Sequence, residues 1–301
     1  MKIIVTGGAG FIGKHLIEFL ITKKNDITIF DNFSNSKEES IIYLKNQGVK
    51  IIKGDITKIQ DINNAVKDQD IVIHLAAKIS VEESIESPSK TFQTNVEGTK
   101  NLLVACEKNN IKKIIISSSA AVYGEGKAGI KLKEKSKMYP ISPYGESKVM
   151  MENEIKVFGK NHNLNYVILR FFNIYGIGQS PEYAGVITKF IKKIEMNKPL
   201  EIFGDGMQTR DFISVNDVVN SIYHSIKNGK NQTYNIASGN SITIKQLAKL
   251  IITLSKKELK INYNDAKKGD IRFSEADISL AKKELQYLPK YTLESIKNLL
   301  I

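Results

Sequence analysis

Thr6-Gly7-Gly8-Ala9-Gly10-Phe11-Ile12-Gly13 is the stretch whose reading decides the fold of this chain. Read from Gly8 it is G-x-G-x-x-G, and read from Gly7 it is G-x-x-G-x-x-G. A chain with 20 glycines can produce such a spacing by chance, so the context carries the meaning. Before it lies Ile3-Ile4-Val5, an apolar run of strand length, and after it residues 11–24 repeat apolar positions at helical spacing. Missing side chains let the backbone approach a pyrophosphate, whose charge the N-terminus of the following helix stabilises. Asp31 ends the next apolar run, 24 residues after Gly7 (31 − 7). Its carboxylate can accept bonds from adenosine ribose hydroxyls and would repel a 2′-phosphate. No Arg follows it, so the pattern predicts NAD rather than NADP. Alone, Asp31 beside Asn32 would read as a turn residue; the glycine turn before it argues for the dinucleotide.

Outward from this unit, strand-length apolar runs alternate with helical patterns. Strands are predicted over residues 2–6, 26–30, 49–54, 70–75, 112–118 and 165–171, with helices over 11–24, 37–46, 58–67, 88–109 and 143–161. Nearly continuous apolar strands separated by helices predict an α/β fold, a Rossmann-type doubly wound parallel sheet covered on both faces. Thr57, three residues before Gln60, fits a capping box at the start of the 58–67 helix. After Phe171 the rhythm loosens, with helical patterns over 183–196, 215–227, 243–254 and 277–285 broken by short strands. The expected organisation is a dinucleotide-binding domain over 1–172, to which about 211–238 returns, and a smaller α/β substrate-binding portion over 173–301.

A second stretch carries chemistry: Ser142-Pro143-Tyr144-Gly145-Glu146-Ser147-Lys148. Pro143 suits a first helical position, and residues at i and i+4 share a helix face, so Tyr144 and Lys148 can address one cavity. A free tyrosine, with a pKa of about 10, is a poor base at neutral pH. A nearby cation stabilises phenolate, so the pair predicts a lowered Tyr144 pKa and a general acid/base. Taken alone, the pair would read as a half-buried Tyr beside a solvated Lys.

The 301 residues are 42% hydrophobic and 25% charged, ordinary for a globular protein with a large core. No run approaches the roughly 18 apolar residues of a membrane span. Met1-Lys2 runs straight into an apolar strand with no signal-peptide layout. The single Cys106 fits a reducing cytoplasm and excludes an internal disulfide framework and cysteine metal sites. The 4 histidines show no ligand spacing, so no metal is expected. The net charge of +12 comes from 44 basic and 32 acidic residues scattered along a lysine-rich chain. Without a basic tract interleaved with aromatics, this favours composition over a nucleic-acid role. A positive surface would still attract an anionic small molecule.

With the glycine turn, Asp31, Tyr144 and Lys148 in order, the chain resembles the extended short-chain dehydrogenase/reductases. Within them it is similar to the nucleotide-sugar epimerases of the UDP-galactose (UDP-glucose) 4-epimerase type. The likeness spans the chain. It includes Asp31-Asn32-Phe33-Ser34-Asn35-Ser36, Gly54-Asp55-Ile56, His74-Leu75-Ala76-Ala77 and Ser117-Ser118-Ser119-Ala120-Ala121-Val122-Tyr123-Gly124. It continues through Arg170-Phe171-Phe172-Asn173 and Gly204-Asp205-Gly206-Met207-Gln208-Thr209-Arg210-Asp211-Phe212. The resemblance implies that Ser119 joins Tyr144 and Lys148 as the catalytic set. It places Gly7, Gly10, Phe11, Ile12 and Gly13 with Leu75, Ala76 and Ala77 around the pyrophosphate of NAD. It places Asp31, Asn32, Asn35 and Ser36 at the adenosine ribose, Asp55 and Ile56 at adenine, and Asn95, Tyr144 and Lys148 also in the cofactor site. Asn173 and Arg210 would grip the substrate diphosphate of a UDP-sugar, and the uracil would lie along Glu201 and Phe203. Two departures stand out. Lys267 replaces an Arg common in relatives, and Lys lacks the bidentate fork, although Arg272 can serve instead. Ser274 falls where epimerases restricted to plain hexoses carry a bulky aromatic, which implies space for an N-acetyl group.

A 4-epimerase needs one base for the O4 proton and a retained hydride carrier. The resemblance implies that a 4,6-dehydratase would also carry an Asp-Glu pair after the catalytic hydroxyl, and decarboxylating relatives an acid there; this chain has Ala120-Ala121. A catalytically silent NAD-binding or RNA-associated relative is the alternative of another class, and such proteins commonly lose the Tyr/Lys pair that is intact here. His74, ending a strand, reads as a packed or hydrogen-bonded core residue, and Cys106 as core. The 88–109 and 143–161 helices carry apolar residues beyond one stripe, including Phe92, Val96, Leu103, Val149, Met150 and Phe158. Relatives pair these helices, so a homodimer is expected.

Overall fold

In the computed structural model the glycine turn joins β1 (Lys2–Thr6) to α1 (Phe11–Thr22). All residues are described except 181–184, 268 and 301. The next elements are β2 (Asp26–Asp31), β3 (Lys50–Lys53), α2 (Ile59–Ala65) and β4 (Ile71–His74). After them come α3 (Val81–Glu86), α4 (Pro88–Phe92), α5 (Gly98–Lys108), β5 (Lys113–Ser119), α6 (Pro143–His162) and β6 (Asn165–Phe171). The second part holds β7 (Asn173–Tyr175), α7 (Val186–Glu195), β8 (Leu200–Phe203), β9 (Thr209–Ser214), α8 (Val215–Lys227) and β10 (Gln232–Ile236). It ends with β11 (Ser241–Thr243), α9 (Ile244–Ser255), β12 (Ile261–Asn264) and α10 (Ser279–Leu285).

Seven strands form one sheet in the order β10-β6-β5-β4-β1-β2-β3, and every neighbouring pair is parallel. The strand order reverses between β1 and β4, the position at which open α/β sheets place their ligands. Both faces are covered. Ile3 and Val5 of β1 pack into one apolar cluster with Leu16, Ile17 and Val218, while Ile4 between them packs into another with Leu102 and Ile155. That alternation, buried on both sides, is why the strands read as continuous apolar runs. The smaller part carries the three-stranded sheet β11-β9-β7 and the pair β12-β8, with a third cluster built from α7, α9 and neighbours such as Phe190, Leu247 and Ile296. Among the described residues no helix is long and apolar enough to cross a membrane.

Three local expectations are corrected. The Thr57 N–H (2.9 Å) and hydroxyl (2.7 Å) both donate to Asp55 Oδ1, and α2 starts at Ile59 with Lys58 at its N-cap and no side-chain cap. The capping box occurs instead at α9, where Thr243 Oγ1 accepts the Gln246 N–H (3.1 Å) and Gln246 Oε1 accepts the Thr243 N–H (3.0 Å). The predicted 37–46 helix is two 3-10 turns, Glu38–Ser40 and Ile42–Gln47. Ile41 and Leu44 are both fully buried, and their spacing of three matches the turn that eclipses i and i+3. The predicted 88–109 helix is interrupted by a π-helical stretch, Gln93–Glu97, between α4 and α5. The start of the predicted 183–196 helix lies outside the described residues, and α7 begins at Val186.

Candidate active site

At the carboxyl edge of the large sheet two cavities adjoin, of about 210 and 910 Å³. Phe11, Ile12, Leu75, Ala77, Ile79 and Gln179 line both, so they form one cleft.

The smaller cavity is walled by the glycine turn, Asp31, Asn32, Asn35, Ser36 and Ile56. Gly7 has φ +70°, and a Cβ there would lie 2.6 Å from the Ala76 nitrogen. A Cβ on Gly13 would lie 2.5 Å from the Gly8 carbonyl oxygen. Only glycine therefore lets β1, the first turn of α1 and the Leu75–Ala76 backbone come this close. The Asp31 carboxylate accepts the Ala9 N–H (3.0 Å) and the Phe33 N–H (2.8 Å), fastening the β2 end to the glycine turn. Burial raises its pKa, against the pull of these two N–H groups and Lys14. A bare-backbone cradle facing a helix N-terminus, with an acid and amides beyond it, fits a dinucleotide.

At the junction with the larger cavity stand Ser117, Ser118 and Ser119 of β5 and Tyr144 and Lys148 of α6. The helix starts as the sequence predicts: Ser142 Oγ accepts the Gly145 N–H (3.1 Å) and Pro143 occupies the first turn. Lys148 is buried, its ammonium 5.9 Å from the Tyr144 ring centre and donating to the Ser117 carbonyl (3.0 Å). Burial pulls the Lys148 pKa down to about 8, with the charge of Glu152 opposing. The expectation of a lowered Tyr144 pKa is not met in the protein alone: burial raises it, and the hydrogen bond with the Ser119 hydroxyl only partly offsets this. Desolvation of the phenolate outweighs a cation held to one side. His74 is buried between the Thr6 and Thr99 hydroxyls (2.7 and 3.0 Å), and burial with the Lys148 charge pulls its pKa down to about 3, so it is a neutral brace.

The larger cavity continues between β7, α7, β8 and β9, lined by Asn173, Glu201, Phe203, Arg210 and Lys267. Arg210 Nη2 is paired with Asp270, and the Lys267 ammonium lies 4.7 Å from the Phe203 ring centre. Asn173 Nδ2 donates to the Asp211 carbonyl (3.1 Å).

Four expected site residues are not on these walls. Asp55 turns its carboxylate to Thr57 and Asn32. Asn95 is buried, with Nδ2 donating to the Lys78 carbonyl (3.0 Å) and to Ser147 Oγ (2.9 Å), so it braces α6 from behind. Arg272 points away, bidentate to Asp205 (2.7 and 2.6 Å). Ser274 is 6% exposed and does not line the cavity. Among the described residues no cluster of side chains could hold a metal ion.

Residues 3–237 match the family described as "NAD dependent epimerase/dehydratase family". The chain belongs to that family. A relative named putative UDP-glucose 4-epimerase, from Methanocaldococcus jannaschii, is 40% identical over 83% of this chain and 81% of its own length. The solved structure of UDP-glucose 4-epimerase from Thermotoga maritima with UDP-glucose superimposes with a TM-score of 0.94 at 34% identity, covering 99% of this chain and 97% of that one. UDP-N-acetylglucosamine 4-epimerase from Methanobrevibacter ruminantium, in complex with UDP-N-acetylmuramic acid, gives 0.91 at 38% identity, covering 99% and 95%.

Several wall residues of this family member escaped the sequence reading. Gln179 touches both cavities and accepts the Thr188 hydroxyl (2.8 Å), yet no motif marks it. Lys189 and Lys192 also line the larger cavity; their i, i+3 spacing on α7 was the available signal.

Proposed function

We propose that this epimerase-family protein is an NAD-dependent 4-epimerase of UDP-hexoses, acting through a transient 4-keto sugar. The observation that carries the reading is a single cleft in which Tyr144, Lys148 and Ser119 stand between a glycine cradle and a wall bearing Arg210 and Lys267. NAD, when bound, supplies a reversible hydride acceptor at C4, and its oxidised ring adds a positive charge. Gly7, Gly10, Phe11, Ile12 and Gly13 with Leu75 to Ala77 would hold its pyrophosphate, and Asp31, Asn32, Asn35 and Ser36 its adenosine end.

Tyr144 takes the O4 proton of the sugar and returns it after the face of C4 has changed. The raised pKa keeps the phenol neutral until cationic charge gathers, and the Lys148 ammonium is the fixed part of that charge. Ser119 shares the hydrogen bond at the phenol and keeps it aimed at O4. Asn173 and Arg210 grip the diphosphate, with Lys267 in the place of the second cation. The diphosphate would replace Asp270 as the partner of Arg210. Phe203 and Glu201 flank the uracil. Ala120 and Ala121 put no acid or base after Ser119, which leaves elimination of water without its proton carriers.

UDP-glucose, UDP-galactose and their N-acetylated counterparts are the proposed substrates; the UDP-N-acetylglucosamine 4-epimerase named above and the cavity of about 910 Å³ support the wider set. The protein works in the cytoplasm as a homodimer. Val104 of α5 with Met150 and Val157 of α6 are 44–59% exposed and offer the apolar contact, whereas Val96 and Leu103 lie in the core. Incubation with a panel of UDP-sugars, with products separated chromatographically, tests the reading. Interconversion at C4 without added NADH is expected, and a 4-keto-6-deoxy product or no turnover of any UDP-hexose would reject it.

A further inference from the structure

Behind Tyr144 and Lys148 lies a charged group that the steps above leave unused. Glu152 continues the helix face at i, i+4 and i+8 from Tyr144 and is fully buried. A buried carboxylate is costly unless paired. Its Oε1 accepts Arg170 Nε (2.8 Å) and the Ser118 hydroxyl (2.7 Å), and its Oε2 accepts Arg170 Nη2 (2.7 Å) and Lys156 Nζ (3.0 Å). Three successive residues of β5 are thus fastened to α6: the Ser117 carbonyl to Lys148, Ser118 to Glu152, and Ser119 to Tyr144. Ser118 and Arg170 are register partners on β5 and β6, so Glu152 grips both strands at one level. Lys148 has no carboxylate within ion-pair distance among the described residues; its ammonium meets the Ser117 carbonyl and, at 4.0 Å, the Met151 sulfur.

We propose that Glu152 is a positioning residue for the epimerisation, holding the Lys148 ammonium charged and at its working depth beside Tyr144 without touching the substrate. The proposal rests on the 4-epimerase reading of the site. Lys148 is faced by Tyr144 and Glu152 on its own helix and by His74 on β4. Glu152 is faced by Lys156 on α6 and Arg170 on β6, and Arg170 in turn by Tyr123 and Glu134. Burial would raise the Glu152 carboxyl, but Arg170, Lys156 and Ser118 outweigh it and hold the group ionised. Lys148 is charged below about 8, so turnover that needs the ammonium falls as pH rises through that value. Removing the Glu152 charge brings the fall to lower pH.

Glu152→Gln keeps the size and deletes the charge; its amide N–H faces Arg170 or Lys156, so a lower denaturant midpoint is expected and the kinetics are read well below it. The alkaline limb of kcat should move down by about one pH unit. This lowers kcat about tenfold at pH 8.5 and changes it less than about twofold at pH 6, with KM and bound NAD(H) unaltered. Glu152→Asp should recover part of the shift. Lys156→Met, at a half-exposed position, leaves Glu152 less compensated and should move the limb the opposite way. Both shifts should recur without substrate in the NMR titration of the Lys148 side chain in ¹³C-lysine protein. An active enzyme whose limb and Lys148 titration match wild type in both variants would overturn the role of Glu152, as would a Glu152→Gln variant slowed by one factor at every pH. Shifted titrations in a protein that epimerises no UDP-hexose would instead overturn the functional reading beneath it.

Discussion

Two arginine–carboxylate pairs share one geometry and differ in everything else. Arg170 meets both oxygens of Glu152 at 2.8 and 2.7 Å with side chains 2% and 0% exposed. Arg272 meets both oxygens of Asp205 at 2.7 and 2.6 Å with side chains 44% and 55% exposed. The first lies behind the α6 face that bears Tyr144 and Lys148, where water cannot compete and each partner would be stranded without the other. The second bridges two surface loops in a medium that screens it. The contrast extends to the cleft itself. Its end at Tyr144 and Lys148 is braced by buried groups, and its far end is walled by Asn173, Glu201, Phe203 and Arg210 of three short strands with Lys267 from the loop after β12. A reaction that must return a proton to the same oxygen needs the order of the buried pair, which the exposed pair does not supply.

The largest effect should come at the chemical end. Tyr144→Phe should lower kcat by about 10²–10⁴, the contribution of a positioned acid/base, with bound NAD(H) retained. Near-normal turnover would remove Tyr144 from the mechanism. Arg170→Met should cost about 3–5 kcal/mol of stability by stranding Glu152 in the core, read as a lower denaturant midpoint. A midpoint close to wild type would show that the buried pair is no more than its surface counterpart. Arg210→Ala should raise KM for UDP-sugars about 10–100-fold, the loss of a hydrogen bond to a charged group, and leave kcat nearly unchanged. Loss of kcat without a change in KM would place Arg210 in the chemistry instead. Arg272→Ala should do least: a KM within about twofold of wild type and an unchanged midpoint, as for exposed pairs. A KM rise as large as that of Arg210→Ala would return Arg272 to the diphosphate.

The same contrast governs what could be read from the sequence. The glycine turn, Asp31, and the Tyr144/Lys148 spacing were legible because local backbone geometry fixes them: φ +70° at Gly7 and one helical turn between Tyr144 and Lys148. The parallel sheet was legible because strands buried on both faces leave uninterrupted apolar runs. The capping box expected at Thr57 occurs at Thr243 instead, and the turn of the Thr57 hydroxyl to Asp55 is a contact of loop geometry that the spacing did not show. Arg272 and Ser274 sit in the loop after β12, where spacing gives no direction, and the folded loop turns Arg272 toward Asp205. The Tyr144 pKa went the other way because burial is a property of the whole fold. Glu152 and Arg170 lie 18 residues apart and only the β5–β6 register brings them together.

In the proposed reaction one bound cofactor carries hydride away from C4 and back within a single active site. Purified protein should be incubated with UDP-glucose deuterated at C4, without added NADH, and the product examined by NMR and mass spectrometry. UDP-galactose that keeps its deuterium at the inverted C4 is expected. Loss of the label to solvent, its transfer to C6 with elimination of water, or recovery of unchanged UDP-glucose would rule out a returned hydride.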